Sequence, residues 1–276
     1  MFKRYPIIDL HTHLRNEIPF HTKVAKENGI DLVVYMANCQ PALDNLDRIK
    51  KSLKEKRFCQ ALPVSAITKD LEGRELVNIE EIKPYVVGFS DDGKYLKDLN
   101  LLKEVLKRDV LVLSHCCPPY EIALKRPYLE TKYVERYLEL LVKVGGKLHI
   151  QHISKKETLK LIKEAKKDGL KITCETCPHY FTWTKEELEI KVNPPLTKKE
   201  DILAIQEGLA GGVIDVIASD YAPLPRKTGI AGFRSFLSLS YGLVLKGILS
   251  EKQLKEKLYL NPKKIIESGG QNINLT

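Results

Sequence analysis

Short apolar, β-branched runs alternate along the chain with amphipathic segments. The runs at residues 5–10, 31–36, 60–66, 86–90, 110–115, 147–152, 171–177 and 213–220 have the length and composition of strands. Residues 21–28, 43–56, 74–82, 96–107, 131–144, 155–167, 198–209 and 233–247 place apolar side chains at helical spacing. Strict alternation of the two patterns predicts an α/β fold with a parallel sheet. Eight units within about 250 residues predict a closed (β/α)8 TIM-type barrel. An open doubly wound sheet is the alternative, although no G-x-G-x-x-G or Walker loop accompanies it. Ser154-x-x-Glu157 and Thr197-x-x-Glu200 read as capping boxes, and Gly169 stands where a helix begun at Lys155 would end. Residues 250–257 and 262–267 predict two further short helices, before a polar tail. No Gly-, Ser- or Pro-rich linker divides the chain, so residues 1–276 are expected to form one domain.

Composition narrows this picture. With 43% hydrophobic and 29% charged residues the chain is globular, and no apolar run reaches the roughly 20 residues of a membrane span. The Met1 end shows no signal-peptide pattern, which makes cytoplasmic residence the expectation. Six cysteines in a chain of this length, without a secretion signal, do not suggest a disulfide framework. Cys174-Glu175-Thr176-Cys177 has redox or zinc spacing, but no second pair accompanies it and it lies in a strand-like run. The net charge of +9 favours acidic partners in principle. The lysines are interleaved with glutamates on helix faces, as in 163–167, so neither nucleic acid nor a membrane surface is expected as a partner.

The candidate chemistry sits where a barrel enzyme keeps it, at the C-terminal ends of strands. The first strand ends in Asp9, His11 and His13. The fourth leads to Ser90, Asp91 and Asp92, the fifth to His115, the sixth to His152, the seventh to His179 and the eighth to Asp220. An isolated H-x-H is a weak signal. Five of the chain's seven histidines on one rim, with acids beside them, point to a metal centre. Imidazole and carboxylate donors suit zinc, and also cobalt, manganese or iron. Four histidines and two acids exceed the three protein ligands of a usual catalytic zinc and could hold two ions. Alternation within Leu148-His149-Ile150-Gln151-His152 places His152 toward the mouth and His149 toward the helices, as a structural residue. His21 reads as a helix-start residue.

These motifs resemble the cyclic amidohydrolases, and most closely the bacterial-type dihydroorotases. Asp9-Leu10-His11-Thr12-His13-Leu14-Arg15 is similar to the family's D-x-H-x-H-x-R, and Met36-Ala37-Asn38 to its M-P-N. Phe89-Ser90-Asp91-Asp92-Gly93 matches F-S-D-D-G. His115, the stretch 149–154, Cys177-Pro178-His179, Asn193-Pro194-Pro195-Leu196 and the stretch 218–223 follow in the family's order. The resemblance implies that His11, His13 and Asp220 bind one metal, that His115 and His152 bind a second, and that Asp92 bridges them, with Asp91 the weaker candidate for that place. It implies Zn2+, one or two ions per chain. Arg15 and Asn38 would hold the substrate carboxylate, Asn193 would touch the ring, and His179 would line the same pocket. The implied reaction is the reversible cyclisation of N-carbamoyl-L-aspartate to dihydroorotate in pyrimidine biosynthesis. It would proceed by hydroxide attack at the metal, with Asp220 as general base and acid.

The match has departures. The family continues its aspartate as D-H-A-P-H, whereas here the chain reads Asp220-Tyr221-Ala222-Pro223-Leu224, and the stretch 224–229 is short for a loop that covers substrate. His115 is followed by Cys116-Cys117 instead of a Cys and acidic pair. Most of the small β-sandwich that usually flanks the barrel is missing, which makes this a short form. Three readings follow: a minimal active dihydroorotase, a hydrolase of another cyclic amide such as a hydantoin, or a non-catalytic assembly subunit. Aspartate transcarbamoylase is the partner that the family suggests, and a homo-oligomer is a further expectation.

Overall fold

The computed structural model of the chain describes residues 5–92, 94, 96–223, 228–273 and 275. Its parallel strands are β1 (Ile8–Thr12), β2 (Leu32–Tyr35), β3 (Gln60–Pro63), β4 (Leu111–Ser114), β5 (Lys147–Ile150), β6 (Ile172–Thr176) and β7 (Val216–Ile217). They pair in the order β1-β2-β3 and β4-β5-β6-β7. Residues 87–90 join the two arcs. Val87 N donates to Pro63 O at 2.9 Å and Ser65 N to Gly88 O at 3.0 Å, while Phe89 exchanges bonds of 2.9 Å with Leu111 and Leu113. On the other side Tyr221 pairs in parallel with Thr12, and His13 N donates to Tyr221 O at 2.8 Å. The ring is therefore closed, with residues 87–90 as the fourth of eight staves. The open sheet is ruled out.

The fourth and eighth staves are shorter than their apolar runs predict. A side chain at Gly88 would collide with the Leu111 carbonyl, so glycine permits the close approach of this stave to β4. Helices α1 (Ile18–Glu27), α2 (Leu46–Leu53), α3 (Ile79–Ile82), α4 (Leu99–Leu106), α5 (Tyr120–Lys125), α6 (Leu129–Val144), α7 (Lys156–Lys167), α8 (Lys199–Ala210) and α9 (Phe233–Leu245) follow the predicted order. The third is reduced to a single turn, and α5 is an addition.

Two apolar layers hold the barrel. Outward residues such as Val33, Tyr35, Val112, Leu148, Ile150 and Cys174 pack with Ile49, Val105, Val134, Ile162, Ile205 and Phe236 of the helices. Inward residues Ile8, Leu10, Leu32, Val34, Leu111, Leu113 and Val216 form a separate cluster, which Ile265 and Ile266 complete. Those isoleucines belong to α11 (Asn261–Ser268), which follows α10 (Glu251–Lys255) and a π-helical turn. The C-terminal segment lies under the strand starts. Asn261 Nδ2 donates to Asp215 O at 2.9 Å, Lys257 Nζ to Ile214 O at 2.6 Å, and Lys147 Nζ to Ser268 O at 3.3 Å.

Two sequence expectations are corrected. Neither predicted capping box forms: the N-caps are Lys155 and Lys198, without side-chain capping. Ser154 is instead drawn to the buried Glu130, which accepts its backbone N–H at 3.1 Å and its hydroxyl at 2.5 Å. A capping box does form at Ser250 and Gln253. His149 does not face the helices. Leu148 and Ile150 do, so His149 is the inward residue of β5 and is fully buried. Gly169 adopts φ +81° just past α7, as its position predicts.

Candidate metal centre

The mouth of the barrel is built by breaking strand regularity. β1 carries one extra residue relative to β2 between Asp9 and Thr12, which re-aims His11 after Ile8 and Leu10 have filled the interior. β5 ends at Ile150, and His152 then takes φ +38°, so it leaves the strand's alternation altogether. Arg15 at φ +52° and Asp220 at φ +48° share that left-handed conformation. For residues with a β-carbon it is costly, and it concentrates where side chains must converge.

Two groups of ligand atoms result, each within 4.8 Å: His11, His13 and Asp220, and Asp92, His115 and His152. All six residues are buried. His13 Nε2 lies 3.1 Å and His11 Nε2 3.6 Å from Asp220 Oδ1. Asp92 faces both groups. Its Oδ2 is 2.5 Å from His11 Nε2 and 3.8 Å from His13 Nε2, and its Oδ1 is 3.2 Å from His115 Nδ1. His152 Nε2 is 2.7 Å from His115 Nδ1. Asp91 points away, accepting bonds from Ile67 N, Thr68 N and Thr68 Oγ1.

The electrostatics favour the ligating forms of Asp220, Asp92 and His152, whereas His11 keeps a proton: burial works to lower it, but the charges of Asp92, Glu175 and Asp220 outweigh that and raise it well above the usual imidazole range. Burial works to raise Asp220, but the charge of His11 and the hydrogen bond and charge of His13 outweigh it and hold the carboxyl at about 2. Burial likewise opposes ionisation of Asp92, and His11, His13 and His115 hold it well below the carboxylate range. Burial, with His115 and His11 beside it, pushes His152 down to about 3, which keeps the imidazole neutral. Bonds of about 2.0–2.2 Å from nitrogen and oxygen ligands bring the donors of one ion within about 4.4 Å of each other. The observed groups, whose donors lie within 4.8 Å of one another, come close to that span and have the right chemistry for a divalent metal.

One supporting group, Glu175, is absent from the sequence-based expectations, and Asn38 makes a contact with His13 that they do not assign it. Glu175, on β6 and fully buried, accepts from His11 Nδ1 at 2.6 Å through Oε1 and from His149 Nε2 at 3.1 Å through Oε2. Asn38 lies against His13 Nδ1, with its amide atoms at 2.9 and 3.1 Å. A carboxylate at an inward strand position is the signal that pointed to Glu175, but the outward assignment of His149 hid its partner. Asn193 Nδ2 reaches His115 Nε2 at 3.2 Å and donates to Pro118 O at 3.1 Å.

A cavity of about 210 Å³ opens over the centre, and His13, Arg15, Asn38, Asp92, Asn193 and Asp220 are among the residues that line it. Arg15 is half-buried there and donates to Pro223 O at 3.0 Å. His179 is not among the lining residues. It is buried beside Tyr180, its Nε2 has no hydrogen-bond partner, and burial pushes it down to about 4. Cys174 and Cys177 are buried free thiols and join neither ligand group. A larger hollow of about 800 Å³ lies at the strand starts near Tyr5, Arg57 and Gln60, but its lining holds one carboxylate and no histidine.

No family model matches the chain. Individual relatives do. It is 34% identical over 309 residues to a dihydroorotase of Trichlorobacter lovleyi, covering 95% of this chain and 73% of that one. The dihydroorotase of Clostridioides difficile is 35% identical over 305 residues (94% and 72% covered), and that of Aquifex aeolicus 31% over 303 (94% and 72%). The chain belongs to the dihydroorotase family. It is therefore a metal-dependent cyclic amidohydrolase by kinship, as its two ligand groups lead one to expect. The fold has solved counterparts. The L-hydantoinase (dihydropyrimidinase) of Arthrobacter aurescens superposes with a TM-score of 0.82 at 20% identity, covering 95% of this chain and 70% of that one. The inactive dihydroorotase-like domain of the Chaetomium thermophilum CAD-like multifunctional protein gives 0.71 at 18% identity (95% and 79% covered).

The family departure at Tyr221 has a structural account. Its ring stacks on Phe233 at 3.6 Å between centroids, and its hydroxyl meets His21 Nδ1 at 2.9 Å, which ties the end of the eighth stave to α1. Leu224 and residues 225–227 lie outside the described residues. Among the described residues, no helix is long and apolar enough to cross a membrane.

Proposed function

We propose that the chain is a dihydroorotase that interconverts N-carbamoyl-L-aspartate and dihydroorotate, with residues 1–276 acting as one catalytic unit. The observation that carries this is the pairing of two complete ligand groups with a half-buried guanidinium in one cavity. His11, His13 and Asp220 would hold one ion and His115 and His152 another, with Asp92 between them. Zinc is the metal this donor set fits best. When bound, the ions supply Lewis acidity and make water acidic near neutral pH.

The remaining work falls to side chains. Arg15 binds the ring carboxylate as a charge-assisted pair, and Asn38 and Asn193 border the same space. Asp220, ionised at neutral pH, accepts a proton from the attacking water and returns it to the leaving ring nitrogen. In the synthetic direction the carbamoyl nitrogen closes on the side-chain carboxyl and water leaves. Asp220 then carries the proton the opposite way.

The retention of both ligand groups speaks against a non-catalytic subunit, and the cationic Arg15 speaks for a carboxylated ring over a plain hydantoin. The test is turnover of dihydroorotate, N-carbamoyl-L-aspartate and hydantoin, with metal analysis of the same sample. Turnover of hydantoin alone would overturn the substrate assignment. Repeating the assay with aspartate transcarbamoylase tests the expected partner: stimulation supports a complex, and identical rates with no co-elution remove it. Arg15→Met should raise KM for dihydroorotate about 10–100-fold with a smaller change in kcat, the loss of one hydrogen-bonded charge. An unchanged KM would place the carboxylate elsewhere.

A further inference from the structure

Below the ligand groups lies a buried polar chain that the proposed reaction does not use. Glu175, His149 and Thr173 come from adjacent inward positions of β5 and β6, and His149 pairs directly with Thr173 in the strand register. Their side chains connect in series. Thr173 Oγ1 is 2.8 Å from His149 Nδ1, His149 Nε2 is 3.1 Å from Glu175 Oε2, and Glu175 Oε1 is 2.6 Å from His11 Nδ1. Glu175, His149 and His11 are each fully buried. Around them the barrel interior is aliphatic, so a carboxylate here is expensive unless every lone pair it turns inward meets a donor.

We propose that Glu175 is a positioning residue for the metal centre, and that His149 and Thr173 hold it in place. This rests on the metal-dependent reading above and deepens it. The donor logic runs one way. The ionised Glu175 can only accept, so His149 carries its proton on Nε2, and in the neutral ring Nδ1 then accepts from the Thr173 hydroxyl. The second oxygen of Glu175 accepts the Nδ1 proton of His11, so the proton that a metal displaces is the one Nε2 donates to Asp92 Oδ2 across 2.5 Å, and Nε2 is the nitrogen left to ligate. A ring held to a carboxylate in this way has its rotation and its ligating nitrogen fixed before a metal arrives. Only His11 has this buried acid behind it among the described ligands; His13 has the neutral amide of Asn38 and His115 that of Asn193.

Glutamine at this position offers one acceptor oxygen where two N–H donors converge. One of the two histidines must then lose its partner. Metal-stripped wild-type and Glu175→Gln chains are titrated with Zn2+ against a chelating indicator, and imidazole 15N spectra of the Zn2+-loaded forms record which ring nitrogen of His11 keeps its proton. The expected result is a Zn2+ dissociation constant raised about 10–100-fold in Glu175→Gln, with mixed His11 tautomers in place of one. Should that variant not fold, His149→Phe carries the test, since it removes one of the two donors that anchor Glu175. A rise toward the lower end of the same range is expected there. A folded variant with wild-type Zn2+ affinity and a single His11 tautomer overturns the inference. A wild-type chain that binds no Zn2+ overturns the metal centre itself, and this inference with it.

Discussion

The two ends of the barrel solve opposite problems with the same eight staves. At the strand starts, α11 pushes Ile265 and Ile266 into the interior cluster, and the backbone carbonyls around them are met by Asn261, Lys257 and Lys147. At the strand ends, four histidines and two aspartates are gathered out of water, with three residues in the left-handed conformation. The closed end lowers the free energy of the fold by burying apolar area, about 25 cal/mol per Å². The open end gathers desolvated imidazoles and carboxylates that a stable core would avoid, an arrangement suited to a cation among them. Stability and chemistry should therefore separate along the barrel axis, and substitutions at the two ends should move different observables.

The largest separation is expected from Asp220→Ala. It removes the proposed general base and one ligand together, and kcat/KM for dihydroorotate should fall by about 10³-fold or more. The metal-free chain should lose stability as well at neutral pH, because His11 and His13 are left without the carboxylate they face, but that loss should vanish in acid, where the wild-type carboxyl is protonated too. Substantial residual turnover would remove Asp220 from the proton-transfer role. At the other end, Ile266→Ala should lower stability and leave the chemistry of the site untouched. It empties a fully buried site under the barrel and should cost about 2–5 kcal/mol in chemical denaturation, with Zn2+ affinity unchanged. A matching loss of metal affinity would show that the two ends are coupled through the staves, and the separation would fail.

Acid should act on the open end first. His152 is pushed down to about 3 by burial and by His115 and His11, so its stabilising contribution is present above about 6.5 and fades as pH falls toward 3. Glu175, where burial is outweighed by the charge and hydrogen bond of His11, and Asp220 are both held at about 2. Their contribution is present above the ordinary carboxylate range and is lost as pH drops from about 4 to 2. Asp9, which burial pushes up to about 7, takes up a proton in the folded chain over the same range as His152 resists one and so works against that decline, and the clear fall in melting temperature of the metal-free chain should come below pH 4. Zn2+ should raise the curve at neutral pH and lose its effect in acid, as protons compete for the ligands. A flat profile from pH 4 to 2 would mean that Glu175 and Asp220 do not face the histidines as described.

The same axis separates what was legible in the sequence from what was not. Helix order, strand order and the closed end follow from apolar periodicity, which records burial residue by residue. The six ligand positions were legible because each ends a strand. The orientation of His149 was misread, since alternation was counted back from His152, a residue that has already left the strand with a positive φ. Once that parity was wrong, Glu175 lost its partner and drew no attention. Capping at Ser154 failed for a related reason: a buried Glu130, 24 residues earlier, outbid the local backbone for its hydroxyl. Local pattern is a guide only where no distant charge competes.

The smallest effect is expected at Tyr221, and it tests how far the open end depends on its chemistry as against its shape. The residue follows the proposed general base directly, and its carbonyl accepts from His13 N. Its ring lies flat on Phe233 with an interplanar angle of 3° and meets the His21 ring edge-on, while its hydroxyl makes the hydrogen bond to His21. If the stacked ring and the backbone position Asp220, Tyr221→Phe should keep kcat/KM within about twofold and cost about 0.5–1.5 kcal/mol of stability for the lost hydrogen bond. Tyr221→Ala removes the stack as well and should lower activity further than stability alone explains. A Phe variant as impaired in turnover as the Ala variant would assign the hydroxyl a part in the reaction, and the residue that breaks the family pattern would become a member of its site.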